Sequence, residues 1–229
     1  MELAASARVY VVVAAYNEAA VISRVVSEVK SAGYAVVVVD DGSRDETAGA
    51  ARGAGAIVVQ HPFNLGQGAA LQTGIDYAVA RGAEVVVTLD ADGQHRVADV
   101  AGLVEALAQE QADFALGSRF LGRSPDLPPL RRLMLKVATL FTRTTTGLRI
   151  TDTHNGLRAM TRRGATALRL RQNRMAHASE LLNQIAESGL RYVERPVTIE
   201  YTAYSLAKGQ KIRDAIFILL DLFARRLHR

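Results

Sequence analysis

The amino-acid sequence predicts an α/β protein, a three-layer α/β/α sandwich around a mostly parallel mixed sheet, followed by a C-terminal amphipathic helix. Short runs of β-branched and aliphatic residues alternate with segments of helical periodicity, as in 9–14 and 20–32. Such apolar runs are typical of strands buried on both faces. Polar residues also follow several of these runs, and the carboxyl edge of an open α/β sheet is where ligands bind.

Composition limits the kind of protein. The 229 residues are 49% hydrophobic and 22% charged, which is typical of one globular domain with a full core. No apolar run reaches the roughly 18 residues of a membrane span, and the N-terminus has no signal pattern, so we expect a cytoplasmic protein. The absence of cysteine excludes disulfides and thiolate metal sites.

The charge balance favours anionic partners. The formal net charge is +5 and the isoelectric point is about 9.7. Nucleic acid is not expected, because tryptophan is absent and the basic residues are not interleaved with aromatic ones. A nucleotide and a membrane surface remain as the expected anionic partners.

The first half of the chain alternates strand, polar loop and helix. Strands are predicted at 9–14, 35–39, 56–60 and 85–89, and helices at 20–32, after residue 43 or 45, and at 69–80. The loops that follow the four strands are Ala15-Tyr16-Asn17-Glu18, Asp40-Asp41-Gly42-Ser43, Asn64-Leu65-Gly66-Gln67-Gly68 and Asp90-Ala91-Asp92-Gly93-Gln94.

The carboxylates after the fourth strand have the pattern of a cation site. Asp90 and Asp92 are two residues apart, so in extended backbone they point to the same side and can share one hard divalent ion, with Gln94 adding a neutral oxygen. Taken alone, the pair is equally well interpreted as an acidic turn that caps the next helix. Asp40 and Asp41 are likewise typical of a turn. Polar loops after several strands favour a binding site.

The second half is less regular. We expect a helix through 97–107, a strand at 114–117 that ends in Ser118-Arg119, a proline-rich loop at 123–129 that is a candidate lid, and a basic helix at 130–146. A motif at 152–158, a helix at 178–188, and strands at 192–193 and 197–201 follow. The basic amphipathic helix at 212–229 could lie on an anionic membrane or pack on protein.

The ordered set of these motifs resembles the family 2 glycosyltransferases of GT-A fold, and among them the dolichol-phosphate mannose synthase-like and bacterial polyprenyl-phosphate enzymes. The resemblance spans residue 11 to about 211 and implies a Rossmann-like domain with a donor half at about 1–119 and an acceptor half at about 120–211. It also implies inverting transfer of a sugar from a UDP- or GDP-sugar to a polyprenyl phosphate.

The resemblance assigns roles to particular residues. Donor binding is expected at Ala15, Tyr16, Glu18, Asp41, Gly66, Gly68 and Asp90. Mg²⁺ or Mn²⁺ is expected on Asp90, Asp92 and Gln94. Catalytic roles are expected for Asp92, Arg119, Asp152 and Arg158, and binding of the acceptor phosphate for Arg119, Arg131, Arg132 and Lys136.

Two other functions are compatible with the same motifs. A saccharide hydroxyl acceptor would need a carboxylate base, for which Asp152 or Glu180 is the best candidate. The second alternative is a non-catalytic, sugar-nucleotide-binding subunit at the membrane. A lipid acceptor implies a peripheral position on the cytoplasmic face, through 212–229, through 130–146, or through a small membrane-protein partner.

Some positions depart from the family pattern. Arg96 follows His95 where proline is frequent, Leu135 lies near the place of a serine in mannose synthases, and Asn155 precedes Gly156 where serine or threonine is frequent. His95 is expected to support the carboxylates from the second coordination sphere, and the other four histidines are expected to have no role in metal binding.

Overall fold

The structure is a computed structural model that describes residues 7–125, 127–172, 176–201 and 204. It contains seven strands, β1 to β7, and seven helices, α1 to α7. The strands are Val9–Ala15, Ala35–Asp40, Ile57–Gln60, Val85–Asp90, Phe114–Arg123, Arg158–Thr161 and Tyr192–Thr198. The helices are Ile22–Ser31, Thr47–Gly53, Gln67–Ala80, Asp99–Gln109, Pro129–Thr146, Arg162–Ala167 and Ala176–Ser188.

The strands form one mixed sheet in the order β3-β2-β1-β4-β6-β5-β7. All neighbours are parallel except β6, which is antiparallel to both β4 and β5. The amino end of β6 therefore lies at the same edge as the carboxyl ends of β1, β2 and β4. The topology brings the 152–158 motif to the edge where the first-half loops end.

Helices cover both faces of the sheet. Alternate residues of β1 enter opposite layers: Val11 and Val13 pack in one core with apolar residues of α1 and α4, and Val12 packs in another with residues of α3 and α7. Strand side chains alternate between faces, so a strand covered on both sides has to be apolar throughout. The predicted three-layer sandwich is confirmed.

Two short elements were not predicted. The residues Arg-Ala-Met-Thr of β6 lack a β-branched run, and they form a strand because they pair with β4 on one side and with β5 on the other. Helix α6 follows directly, with the hydroxyl of Thr161 accepting a hydrogen bond from the Gly164 amide as an N-cap.

Three boundaries in the second half were predicted wrongly. Strand β7 is a single strand through Pro196, which is tolerated because β7 lies at the edge of the sheet. Strand β5 runs to Arg123 with an irregular register after Ser118, so Ser118 and Arg119 lie within a strand rather than in a loop. The segment between β5 and α5 is consequently shorter than the expected loop, and its Leu127 is buried.

None of the helices in the described ranges is both long and apolar enough to cross a bilayer. The amphipathic helix predicted at 212–229 lies outside the described residues, so its prediction stays open.

Candidate active site

The predicted cation ligands meet at the carboxyl end of β4. Asp90 is the last residue of that strand, and its side chain is 33% exposed. Asp92 accepts hydrogen bonds from the backbone amide of Gln94 at 3.1 Å and from its side-chain Nε2 at 2.6 Å. Two carboxylates and one amide therefore lie in a single turn, and their oxygens are the ligand type that Mg²⁺ and Mn²⁺ prefer.

Three neighbours hold the Asp90 carboxylate from different directions. Gln67, at the start of α3, donates from Nε2 to Oδ1 at 3.2 Å, and His95 donates from Nε2 to Oδ2 at 3.1 Å. On a third side, a Cβ on Gly156 would lie only 2.1 Å from Asp90 Oδ2. Residue 156 must therefore be glycine for the 152–158 segment to pass this carboxylate.

The two carboxylates differ in their readiness to ionise. Burial raises the pKa of Asp90, but the hydrogen bond from His95 and the charges of His95, Arg158 and His177 outweigh it and lower that pKa to about 2. Burial, followed by repulsion from Asp90, raises the pKa of Asp92. A divalent cation between them would relieve this repulsion, so the residues present fit the ion that the fold implies.

Asp41 anchors the glycine-rich loop. Its Oδ1 accepts from the Leu65 amide at 2.9 Å and from His61 Nδ1 at 2.8 Å, and its Oδ2 accepts from the Gly66 amide at 2.8 Å. His61 in turn bonds Thr73 on α3 at 3.0 Å. Both oxygens of Asp41 already have partners within the protein, and its contact with a donor stays a prediction.

The two predicted glycines of this loop serve different local purposes. Gly66 has a φ of +99°, a left-handed conformation that few other residues adopt, and it precedes α3. A Cβ on Gly68 would lie 2.2 Å from the carbonyl oxygen of Gln172, so Gly68 permits close packing of α3 against the segment before α7.

The first strand-end loop is joined to the second. The Asn17 amide donates to Ser43 Oγ at 2.9 Å, and the Glu18 amide donates to Thr47 Oγ1 at 2.7 Å. Glu18 is buried and its Oε2 accepts a hydrogen bond from Tyr204, whereas Tyr16 is 39% exposed. The expected donor-binding residues 15–18 therefore lie beside the Asp41 loop.

Arg119 is held in a buried network. Its Nε donates to Asp152 Oδ2 at 2.6 Å, its Nη1 donates to the Tyr201 hydroxyl at 2.9 Å, and its Nη2 donates to the carbonyl of His154. Burial lowers the pKa of Arg119, but the charge of Asp152 and then Tyr201 outweigh it, so the pKa is raised overall. Arg119 is a permanent cation in a fixed orientation.

Arg131 joins this network through an aromatic ring. Its guanidinium carbon lies 5.2 Å from the ring centroid of Tyr201, within the range of a cation–π contact. Arg132 and Lys136 are exposed on the same helix, and within the described part of the chain neither bonds Arg119, Asp152 or Tyr201. Of the predicted cations on α5, Arg131 is the one that the fold brings to Arg119.

Two further predicted residues, Arg158 and Asp152, lie near the Asp90 carboxylate or in the Arg119 network. Arg158 is buried at the start of β6, where burial lowers its pKa while the charges of Asp90 and Asp152 oppose that shift. Asp152 is in turn oriented by Glu194, whose carboxylate accepts from the amides of Thr151 and Asp152. Burial raises the pKa of Glu194.

Sequence reasoning missed several residues of the site. Gln67 lies between the two glycines of the glycine-rich motif, and this position was the signal that could have found it. His61, Glu194 and Tyr201 are isolated polar residues without motif spacing, so only the fold shows their contacts. Glu180, a candidate base, accepts hydrogen bonds from the amides of Arg171 and Gln172.

Comparison with known proteins identifies the family. Residues 10–168 match the profile described as Glycosyl transferase family 2. The chain is 31% identical to the polyprenol monophosphomannose synthase of Mycolicibacterium smegmatis, covering 92% of this chain and 84% of that protein. It is 29% identical to the UDP-N-acetylglucosamine–dolichyl-phosphate N-acetylglucosaminyltransferase of Methanococcus voltae, covering 89% and 90%.

A solved structure supports the fold. The glucosyl-3-phosphoglycerate synthase of Mycobacterium tuberculosis, in complex with Mn²⁺ and UDP-glucose, superposes with a TM-score of 0.74 at 21% identity, covering 98% of this chain and 81% of that one. The fold is therefore GT-A, as the resemblance implied. From the matched profile and these relatives, the chain belongs to glycosyl transferase family 2 and is a glycosyltransferase.

Proposed function

We propose that the protein is an inverting, metal-dependent enzyme that transfers a sugar from a UDP- or GDP-sugar to a polyprenyl phosphate. The observation that carries the proposal is the adjacency of two clusters. One consists of Asp90, Asp92 and Gln94, which suit a divalent ion, and the other consists of Arg119 and Arg131 joined through Tyr201. The 152–158 segment connects the two clusters, because its Gly156 lies against the Asp90 carboxylate and its Asp152 binds Arg119.

The first cluster is assigned to the leaving diphosphate. The described residues contain no group of three or more histidine, aspartate or glutamate side chains that could hold a metal. Two carboxylates and an amide leave coordination positions for diphosphate oxygens, as in sites that bind the ion together with its substrate. A bound Mg²⁺ or Mn²⁺ would offset the negative charge that builds on the departing nucleoside diphosphate. Gln67 and His95 keep Asp90 oriented for this task.

The second cluster is assigned to the acceptor phosphate. A phosphate monoester is ionised at neutral pH and needs no base to become a nucleophile, whereas it does need cations to position it. Arg119 has a planar donor array fixed by Asp152 and Tyr201, and Arg131 is stacked beside it. Inversion would follow if a phosphate oxygen bonds the anomeric carbon while the bond from that carbon to the nucleoside diphosphate breaks on the opposite face.

The names of the relatives support this acceptor, since the compared enzymes are named for polyprenol or dolichyl phosphate products or acceptors. The saccharide hydroxyl alternative is less favoured, because Asp152 is bonded to Arg119 and Glu180 to backbone amides. A lipid acceptor further implies that the protein acts at the cytoplasmic face of the membrane, and we propose a peripheral association.

A transfer assay with matched variants tests the proposal. Purified protein is incubated with Mn²⁺, a panel of UDP- and GDP-sugars labelled in the sugar, and a polyprenyl phosphate in detergent. We expect label in the lipid fraction, lost on chelation with EDTA and in Asp92→Ala. Asp76→Ala, which removes an exposed carboxylate on α3 that accepts a hydrogen bond from Gln72, is the control and should keep full transfer. Label that appears only in a saccharide, or transfer unaffected by EDTA, would refute the acceptor or the metal assignment.

A further inference from the structure

Helix α5 exposes large apolar side chains and buries polar ones, which is unusual for a surface helix. Its two buried residues are Thr139 and Thr142, whose hydroxyls bond the carbonyls of Leu135 and Ala138 one turn earlier. Four of its large apolar side chains are exposed, among them Leu130 at 53% and Leu140 at 61%, while Met134, Leu135 and Phe141 are half-buried. A soluble helix normally buries its apolar stripe, so this arrangement indicates that something apolar covers α5 from outside.

The exposed side chains form a continuous stripe. Leu130, Leu133, Val137 and Leu140 follow one another at spacings of three and four residues, which places them on a single face of the helix. We call this set the α5 stripe. Basic residues border it, since Arg132 and Lys136 are exposed on the adjoining face and the helix contains no acidic residue.

We propose that the α5 stripe is the surface by which the protein docks on an anionic lipid bilayer. An in-plane amphipathic helix inserts its apolar face at the boundary of headgroups and acyl chains, while flanking cations contact anionic headgroups. The four apolar side chains and the bordering cations have this chemistry.

Charge complementarity favours a bilayer over the C-terminal sequence as the partner of the α5 stripe. The sequence 205–229 includes an apolar helical pattern, but it carries six lysine or arginine residues against two aspartates. Helix α5 carries four basic residues and no acidic one. Two segments with an excess of basic residues repel each other, whereas an anionic bilayer attracts the cations of α5.

The position of the stripe also fits its use. The same helix presents Arg131 to Tyr201 on another face, so a docked α5 would place the proposed acceptor cluster beside the headgroup layer. This last step rests on the proposed function, because it assigns the acceptor phosphate to Arg119 and Arg131. The docking surface itself does not depend on it.

Vesicle co-sedimentation of the full chain tests the surface. Vesicles of phosphatidylcholine with phosphatidylglycerol are compared with phosphatidylcholine alone, using wild type, the double variant Leu133→Gln/Leu140→Gln, and Ile57→Gln. Ile57 is a matched control because it is another exposed large apolar residue, on β3 at the far edge of the sheet. We expect the double variant to lower the partition coefficient on the anionic vesicles at least about tenfold, with little effect of Ile57→Gln.

Two further measurements test whether a segment of the chain or a second copy, rather than a bilayer, covers the α5 stripe. Equal partitioning of wild type and the double variant would overturn the proposal. A lowered melting temperature of the double variant without vesicles would overturn it in favour of a covering segment of the chain, and a dimer that the double variant dissociates would overturn it in favour of a second copy. An unchanged melting temperature and a wild-type monomer support the bilayer.

The outcome is separable from that of the proposed function. Sugar transfer to a short, water-soluble prenyl phosphate should be the same in wild type and the double variant. Neither Leu133 nor Leu140 belongs to the proposed metal cluster or to the proposed acceptor cluster. Wild type that binds anionic vesicles through the stripe but transfers sugar to no prenyl phosphate would refute the function and keep the surface. Transfer to the soluble acceptor with no vesicle binding would do the reverse.

Discussion

The buried ion pair between Arg119 and Asp152 is the residue-scale feature on which the proposed acceptor side of the site depends. Both side chains are almost completely excluded from solvent, at 6% and 0% exposure. A buried charge is tolerated only while its partner and hydrogen bonds remain, so each of the two residues fixes the other. The pair explains why a strand residue that points inward can be a buried, permanent cation.

Removal of Arg119 should therefore lower the free energy of unfolding of the whole protein. We expect Arg119→Ala to lower the free energy of unfolding by about 3–5 kcal/mol, because Asp152 is left buried and unpaired. Arg96→Ala is the control, since it breaks a pair with Glu200 whose side chains are 56% and 46% exposed, and it should cost less than about 1 kcal/mol. Urea denaturation measures both, and equal losses in the two variants would contradict the burial argument.

His154 gives the protein a predictable response to acid. Burial lowers its pKa from the ordinary 6.5 to about 4, assisted by the charges of Arg119, Arg158 and His177 and opposed by Asp152. Between these two values the unfolded chain binds a proton that the folded chain does not. Stability from this group is therefore complete above 6.5 and is lost as the pH falls toward 4.

The expected slope for His154 is at most about 1.4 kcal/mol of unfolding free energy per pH unit in that window. Unfolding curves in urea at several pH values measure it. His154→Gln should flatten the profile between pH 4 and 6.5, because glutamine does not titrate. A variant profile as steep as that of the wild type would assign the pH dependence to other groups.

At the scale of elements, the decisive contact lies between the end of β4 and the segment that leads into β6. The hydroxyl of Thr88 donates to the Gly156 carbonyl at 2.8 Å, and the Gly156 Cα lies against the Asp90 carboxylate. This contact ties the proposed metal site to the antiparallel strand that the sequence pattern failed to predict.

Gly156→Ala should disturb the metal site without unfolding the protein. Its Cβ would lie 2.1 Å from Asp90 Oδ2, so the carboxylate has to move, and we expect Mn²⁺-dependent affinity for UDP, measured by calorimetry, to fall about tenfold or more. Gly102→Ala is the control, because nothing lies within 4 Å of its Cβ position on α4. That change should leave affinity intact and stabilise the helix by roughly 0.5–1 kcal/mol. Unaltered affinity in Gly156→Ala would remove Asp90 from the metal site.

At the scale of the whole molecule, the two proposed halves share one sheet. Strand β6 of the second half pairs with β4 of the first, and residues of both halves contribute to each of the two large cores. A sheet shared in this way predicts that neither half retains its packing when the other unfolds.

The chain should accordingly unfold in one cooperative transition. Far-ultraviolet circular dichroism and tyrosine fluorescence, recorded against urea, are expected to give coincident curves, since the protein contains seven tyrosines and no tryptophan. Two separated transitions would show that donor and acceptor halves are independent folding units.

Much of the architecture follows from the sequence alone. Local patterns determined the first four strands and their helices, because strands buried on both faces must be apolar throughout and helices must present a periodic apolar face. The same patterns located Asp90 and Asp92 at a strand end, and the ordered motifs indicated the family. These features depend on residues that are close together in the chain.

Tertiary structure decided the rest. Neighbours distant in the chain make β6 a strand and let β7 continue through Pro196. They also place Arg131, rather than Arg132, over the ring of Tyr201. The contacts of His61 with Asp41 and of Tyr201 with Arg119 likewise join residues that no local pattern relates. The physical reason is that hydrogen bonds and ion pairs depend on positions in space, and the packing of strands, helices and loops determines those positions.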